Sequence, residues 1–216
     1  MTSSSATRTI LVTGFKPFGG ETINASWEAA QKLEGWRHGG AVAAARLLPC
    51  AYEASVKTLI SAIETLRPDA LLMTGQAARR GVVCVERFAR NLDDAKAPDN
   101  DGALRRGLRI TRAAPDWLEA AAPVRIIART INEAGIQARM SRNAGAFVCN
   151  HLYFGALQYL RDKKLAIPAV FVHLPVTPEQ SPQGASERRL TPAEAANALR
   201  VAAKVMLDRL EEGAAA

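Results

Sequence analysis

The sequence predicts an α/β protein: a single-domain α/β/α sandwich around a twisted, mostly parallel (mixed) central sheet. Three observations carry this. Short apolar runs closed by Gly or Pro recur along the chain as buried strands. Stretches with helical apolar spacing fall between them. The runs are apolar without alternation, so both strand faces are covered, which in such a protein means helices on either side.

Thr9-Ile10-Leu11-Val12-Thr13-Gly14 is the first such run, and Ala41 to Leu48 is a weaker strand candidate. From Tyr52, residues Val56, Leu59, Ile60, Ile63 and Leu66 recur at helical spacing, with Pro68 just beyond the end. Asp69 to Gly75 repeats the strand pattern, and Val82 to Phe88 is a second weaker candidate. Asn91 to Trp117 is polar, rich in Asp and Arg and weakly periodic, so it is expected to be a long loop or arm, a feature that usually serves function or contacts. Pro123 can open a helix carrying Ile127 and Ile131 that stops near Gly135. In Asn143-Ala144-Gly145-Ala146-Phe147-Val148-Cys149 an extended run breaks at glycine and a helix is expected to start at the cysteine. Ala169 to Pro175 is a third strong strand. Thr191-Pro192-Ala193-Glu194 has the form of a capping box ahead of the apolar stripe Leu199, Ala203, Met206 and Leu210. One domain over 1–216 is expected, with 1–8 and 212–216 frayed.

A hydrophobic content of 48% and 23% charge suit a soluble globular chain of 216 residues. No apolar run approaches the roughly 18 residues of a bilayer span, and no signal-peptide core follows the polar start. Cys50, Cys84 and Cys149 are odd in number and widely spaced, which suits reduced thiols and a cytoplasmic location. The net charge of +7 raises the question of nucleic acid, and arginines do gather between Arg79 and Arg112. Glu86, Asp93, Asp94, Asp99 and Asp101 are interleaved with them and no nucleic-acid motif accompanies them, so a solvated face or a subunit contact is the expected use.

Cys149 is the residue that suggests chemistry. A thiol at a helix start feels unsatisfied N–H groups and the positive dipole end, which favour the nucleophilic thiolate; the plainer reading is a packed cysteine. A base must accompany it. His151, two residues on, diverges by about 200° on one helix. His38 lies in a polar turn. His173 ends an apolar strand, where open α/β sheets place catalytic groups, although a buried structural histidine would look the same. Glu86 is a charge within a largely apolar segment; pointing inward it could pair with His173, and otherwise it alternates outward or meets Arg87 or Arg90. Two further loops, Gly14 to Gly20 and Gly75-Gln76-Ala77, follow strands at the same sheet end. The first matches no phosphate-loop or dinucleotide pattern. Its Phe15 and Phe18 suit a flat apolar ligand or the core.

Together these segments resemble the type I pyroglutamyl peptidases, also called pyrrolidone-carboxylate peptidases, from about Ile10 to Leu210. The carrying motifs are Thr13 to Glu21, Asn24-Ala25-Ser26-Trp27, Gly75-Gln76-Ala77, Glu86-Arg87, Ala97-Pro98-Asp99-Asn100, Phe147 to His151 and Phe171 to Pro175. The resemblance implies a cytosolic cysteine exopeptidase that removes N-terminal pyroglutamate from peptides through a thioester. It implies a homotetramer without metal or cofactor, and no nucleic-acid or membrane partner is expected. Its nucleophile, base and orienting acid fall on Cys149, His173 and Glu86. Its ring-binding aromatics fall on Phe15, Phe18 and Phe147, and its lactam contacts on Asn24, Gln76 and the Val148 backbone. Departures stand at Ala78 and Arg79, where the family commonly has glycines, at Ala146, at Arg90, and at Lys96, the place of an arginine implicated in oxyanion stabilisation. These leave two alternatives: a cysteine hydrolase for another small cyclic amide or acyl group, or a non-catalytic anion- or RNA-binding protein using the basic region.

Overall fold

A computed structural model describes residues 7–180 and 189–215, with the side chains of 214 and 215 left aside. In chain order the elements are β1 (Arg8–Phe15), α1 (Ala25–Ala30), β2 (Arg37–His38), β3 (Ala41–Leu48), α2 (Tyr52–Leu66), β4 (Ala70–Gln76), β5 (Val83–Glu86) and β6 (Phe88–Arg90). They continue with β7 (Trp117–Glu119), α3 (Val124–Glu133), β8 (Ala138–Ser141), α4 (Val148–Asp162), β9 (Ala169–Leu174) and α5 (Pro192–Ala215). Seven strands form one sheet in the order β2-β3-β1-β4-β9-β5-β8. The β3-β1-β4-β9 block is parallel, β5 runs antiparallel to β9, and β8 is parallel to β5. The sheet is therefore mixed and mostly parallel.

Alternate residues of the central strands feed two apolar layers, the period-2 geometry of a sheet covered on both faces. Ile10, Val12, Leu72 and Val172 pack with Ala29 of α1, Ile127 of α3 and Leu199 and Met206 of α5. Leu11, Phe15, Met73 and Phe171 pack with Leu59 of α2 and Leu152 and Phe154 of α4. The three strong apolar runs lie in β1, β4 and β9, all fully buried or nearly so. The capping box at α5 forms as expected: the Glu194 N–H donates to Thr191 Oγ1 at 3.2 Å and the Thr191 N–H to Glu194 Oε2 at 2.8 Å.

Some elements differ from expectation. The Val82 to Phe88 segment is two strands, because the chain leaves the main sheet after Glu86 and re-pairs through Phe88–Arg90 with β7 in a separate ribbon. Pro123 caps α3 rather than opening it. The short α1 and the edge strand β8 carry too little periodicity to be read from sequence. The expected fraying at 1–8 and 212–216 meets a strand that already includes Arg8 and a helix that continues to Ala215; residues 1–6 and 216 lie outside those described.

The connection between β6 and β7 is bound to the first turn of α4. Asn150 accepts the Arg90 N–H at 2.8 Å and donates to the carbonyls of Arg90 and Leu92, both at 2.9 Å. His151 Nδ1 lies 2.9 Å from Asp93 Oδ2, and Arg105 reaches the same oxygen at 2.9 Å. His151 thus faces the arm. Farther along, Asp99 Oδ2 accepts the Tyr52 N–H at 2.9 Å, capping α2 from a distant segment that sequence inspection of α2 cannot reveal. Asn150→Ala leaves two carbonyls and an N–H without their partner, and is expected to lower stability by about 2–3 kcal/mol. Urea unfolding checks this; a loss below about 0.5 kcal/mol would mean that water replaces the amide without cost.

Candidate active site

The carboxyl ends of β1, β4 and β9 and the amino end of α4 meet at one edge of the sheet, the usual place for ligands in open α/β proteins. There Phe15, Phe18, Asn24, Gln76, Phe147, Cys149 and His173 line a cavity of about 130 Å³, together with Cys50 and residues 144–146. This is small against the roughly 300–1,000 Å³ of drug-sized ligand sites. Phe18 and Phe147 stand with ring centroids 6.0 Å apart, tilted by 45°. Tyr52 braces Phe147 edge-on at 5.7 Å.

Sheet register explains how His173 meets Glu86. The antiparallel pairing of β5 with β9 sets Cys84 opposite His173 and Glu86 opposite Phe171. Glu86 and His173 are therefore diagonal neighbours on one face, within reach of long side chains. His173 Nδ1 lies 2.9 Å from Glu86 Oε1. That is the inward pairing the sequence offered for Glu86; the competing ion pairs with Arg87 or Arg90 do not form. The guanidinium bound to Glu86 is that of Arg80, which also donates to the Asn143 carbonyl at 2.5 Å. Arg87 instead meets Glu119 at 2.7 Å, and Arg90 stacks on Trp117. Arg105 and Arg109 also pair with carboxylates, so much of the basic Arg79–Arg112 region is internally compensated. Arg80 is the residue of this cluster that the sequence reading did not single out. The available signal was an arginine just past a strand end, close in sequence to a buried acid.

Burial and charge set the protonation states. Burial alone would raise the Glu86 carboxyl, but the His173 contact and Arg80 hold it below its ordinary value. Arg80 is permanently charged and so sustains the carboxylate even when His173 is neutral. Burial lowers the His173 value despite Glu86, leaving a neutral imidazole near neutral pH. Cys149 corrects a second expectation. Its own N–H and Arg80 do favour thiolate, as the helix start suggested, yet burial outweighs them and raises the thiol well above its ordinary value. Desolvation of a charge in this cavity opposes what one helix end returns and favours the neutral thiol and imidazole. The neighbouring Cys50 is pushed up to about 12, by burial and then by Asp99.

The polar edge is partly engaged by the fold. Asn24 Oδ1 accepts from the Ser26 N–H at 3.0 Å, capping α1, and its amide donates to the Lys16 carbonyl at 3.1 Å. Gln76 Oε1 accepts the Ala25 N–H at 2.8 Å, which turns its amide nitrogen to other partners. Phe147 gives α4 no side-chain cap, and Val148 is buried as the first helical residue. Lys96 is not in the wall of the Cys149 cavity; it lines an adjoining one beyond Phe18 and Phe147.

Gly75 packs against the sulfur with no room for a side chain. A Cβ there would stand 2.7 Å from both Cys149 Sγ and Phe171 Cζ. Gly75→Ala is expected to displace the thiol and reduce kcat/KM by about 10²-fold, with about 1–3 kcal/mol lost in stability. Kinetics and thermal melting check this; unchanged kcat/KM would mean that the sulfur does not need its present position.

A half-buried cysteine at a helix start, a buried histidine sharing its cavity and a carboxylate behind that histidine make up the site pattern of a thiol-dependent hydrolase on an α/β sandwich. The profile of the pyroglutamyl peptidase family matches residues 8–209, and the chain belongs to that family. It is 40% identical over 202 residues to the pyrrolidone-carboxylate peptidase of Chromobacterium violaceum, covering 94% of each protein. With that of Erwinia tasmaniensis it shares 42% identity over 172 residues, 80% of each. Among solved structures it superposes on pyroglutamyl peptidase I of Bacillus amyloliquefaciens with a TM-score of 0.89 at 36% identity, covering 92% of this chain and 96% of that one. For the pyrrolidone carboxyl peptidase of Thermococcus litoralis the TM-score is 0.91 at 32% identity, covering 95% and 96%.

Proposed function

We propose that this protein is a cysteine exopeptidase that hydrolyses the amide bond following an N-terminal pyroglutamyl residue, with Cys149 as nucleophile, His173 as acid and base and Glu86 as the group that orients His173. The observation that carries this reading is the coincidence, in one small cavity, of a thiol, an imidazole and a slot between aromatic rings. Pyroglutamate is a flat, neutral lactam. Aromatic faces bury such a ring, and one donor and one acceptor suffice to read its edge. In this reading Phe15, Phe18 and Phe147 hold the ring, the Gln76 amide and the Val148 backbone meet the lactam, and Asn24 shapes the edge by holding α1.

The reaction starts from a neutral pair. As the sulfur attacks the pyroglutamyl carbonyl carbon, its proton passes to His173, and Glu86 with its arginine stabilises the imidazolium. The uncapped N–H groups opening α4, that of Cys149 foremost, face the developing oxyanion. The C–N bond breaks as His173 returns the proton to the leaving amine. Water, deprotonated by His173, then attacks the thioester, releasing pyroglutamate and restoring the thiol.

A cytoplasmic location belongs to the same reading, since all three cysteines are free and a reducing compartment keeps a thiol nucleophile in that form. Self-association into a homo-oligomer is supported by Leu104, Leu108 and Trp117, which the arm holds 46–51% exposed. A monomeric mass by light scattering would count against it. Turnover of a fluorogenic pyroglutamyl amide under reducing conditions tests the activity itself. Faster release from a different N-terminal cyclic amide in the same panel would redirect the assignment to another small acyl group.

A further inference from the structure

Phe18 and Phe147 form part of the wall of the cavity that holds Cys149. On their far side a second cavity of about 530 Å³ opens, sharing Phe18, Ala146 and Phe147 with the first. Its walls carry Arg79 and Lys96, with Arg80 and Asp94 beside them. Both supporting loops are anchored. The Asp94 N–H donates to the Ala146 carbonyl at 2.9 Å, and Arg80 is tied to Glu86 and to the Asn143 carbonyl. Arg80 is neutralised by Glu86. Asp94 accepts the Gly107 N–H at 3.2 Å and offsets one positive charge. Arg79 and Lys96 are exposed and have no carboxylate within salt-bridge distance among the described residues, so the second cavity keeps a net positive character.

The geometry points to this cavity as the site of the leaving group. We propose that Arg79 and Lys96 make the enzyme prefer substrates whose residue after the pyroglutamyl group carries a carboxylate. The inference rests on the pyroglutamyl-peptidase reading. The first cavity is small, so a peptide whose ring fills it extends beyond it, and the second cavity adjoins it across Phe18, Ala146 and Phe147. The carboxylate could be an acidic side chain or the free α-carboxylate of a pyroglutamyl dipeptide; guanidinium and ammonium groups attract either.

The test is kcat/KM on four substrates: pyroglutamyl-alanine amide, free pyroglutamyl-alanine, pyroglutamyl-glutamate amide and pyroglutamyl-lysine amide. At low salt at least one carboxylate substrate is expected to exceed the neutral amide by about three- to tenfold, with the lysine substrate slowest. Enhancement of free pyroglutamyl-alanine alone assigns the subsite to a dipeptide terminus; enhancement of the glutamate amide alone assigns it to a side chain. In 1 M salt the ratio should shrink towards one, because screening acts over about 3 Å there. In Arg79→Ala and in Lys96→Ala the ratio of carboxylate to neutral substrate, taken within each variant, should fall in the same way. A wild-type ratio within twofold of one, a preference for lysine, or a ratio unchanged in both variants overturns the proposal. A fluorogenic pyroglutamyl amide with a neutral leaving group is run alongside. Turnover of that amide without charge preference sinks this inference alone, whereas no turnover of any pyroglutamyl substrate removes the underlying activity and this inference with it.

Discussion

Cys149→Ala is expected to lower kcat on a pyroglutamyl amide by about 10⁴-fold or more while leaving the fold intact. The size follows from the role: without the sulfur no thioester forms, and only binding and the oxyanion donors remain to assist water. The fold should survive because the side chain only shrinks, at a position open to the cavity, while the helix start keeps its backbone contacts through Phe147 and His151. Steady-state kinetics together with a thermal melt within a few degrees of wild type checks both halves. Retained turnover in a folded variant would transfer the chemistry to another group, with Cys50, in the wall of the same cavity, the first to examine. The raised thiol value adds a second reading. Alkylation of Cys149 in the free protein should be slow at neutral pH and accelerate only in alkaline buffer, because burial keeps the proton on sulfur.

Glu86→Gln carries the second large effect, and it falls on activity and stability together. The amide is nearly isosteric, but it removes the charge that stabilises an imidazolium and can present the wrong group to His173 Nδ1; about 10³- to 10⁴-fold loss in kcat is expected. It also leaves the Arg80 guanidinium, half-buried against the same carboxylate, without its counter-charge. Breaking a buried pair in this way costs about 3–5 kcal/mol. Chemical denaturation measures that term separately from kinetics. Near-wild-type stability would mean that Arg80 swings to solvent. The pH dependence has a definite sign. The Glu86 value is depressed in the folded protein, so its stabilisation is present above the ordinary 4.5 and is lost as pH falls through the lower folded value. His173 is also depressed, so the unfolded chain takes up its proton first, and stability begins to fall as pH drops below the ordinary 6.5. Glu86→Gln should abolish the lower of these two acid limbs.

The legible part of the site was the part written in local pattern. Cys149 is conspicuous because a glycine-broken run leads into a helix, and His173 because it closes an apolar strand. Glu86 stands out as a charge among buried neighbours. The motifs around these residues supported the resemblance that the comparisons bear out for fold and activity. Less legible were relations between distant segments. Arg80 stands six residues before Glu86, but only the fold selects it over Arg87 and Arg90 as the partner of that acid. Nothing in α2 indicated that Asp99 would cap it. The thiol was misjudged for a similar reason: the helix end is a local feature, whereas burial is the sum of everything packed around the sulfur.

By itself the chain's order of residues determined the main strands and helices and which side chains can do chemistry, because periodicity, turn residues and side-chain type are local properties. Only the tertiary structure decided which acid meets which base, where protons rest and how much room the slot leaves. Those depend on the register of β5 against β9 and on the exclusion of water from the Cys149 cavity, and both arise when remote segments pack together.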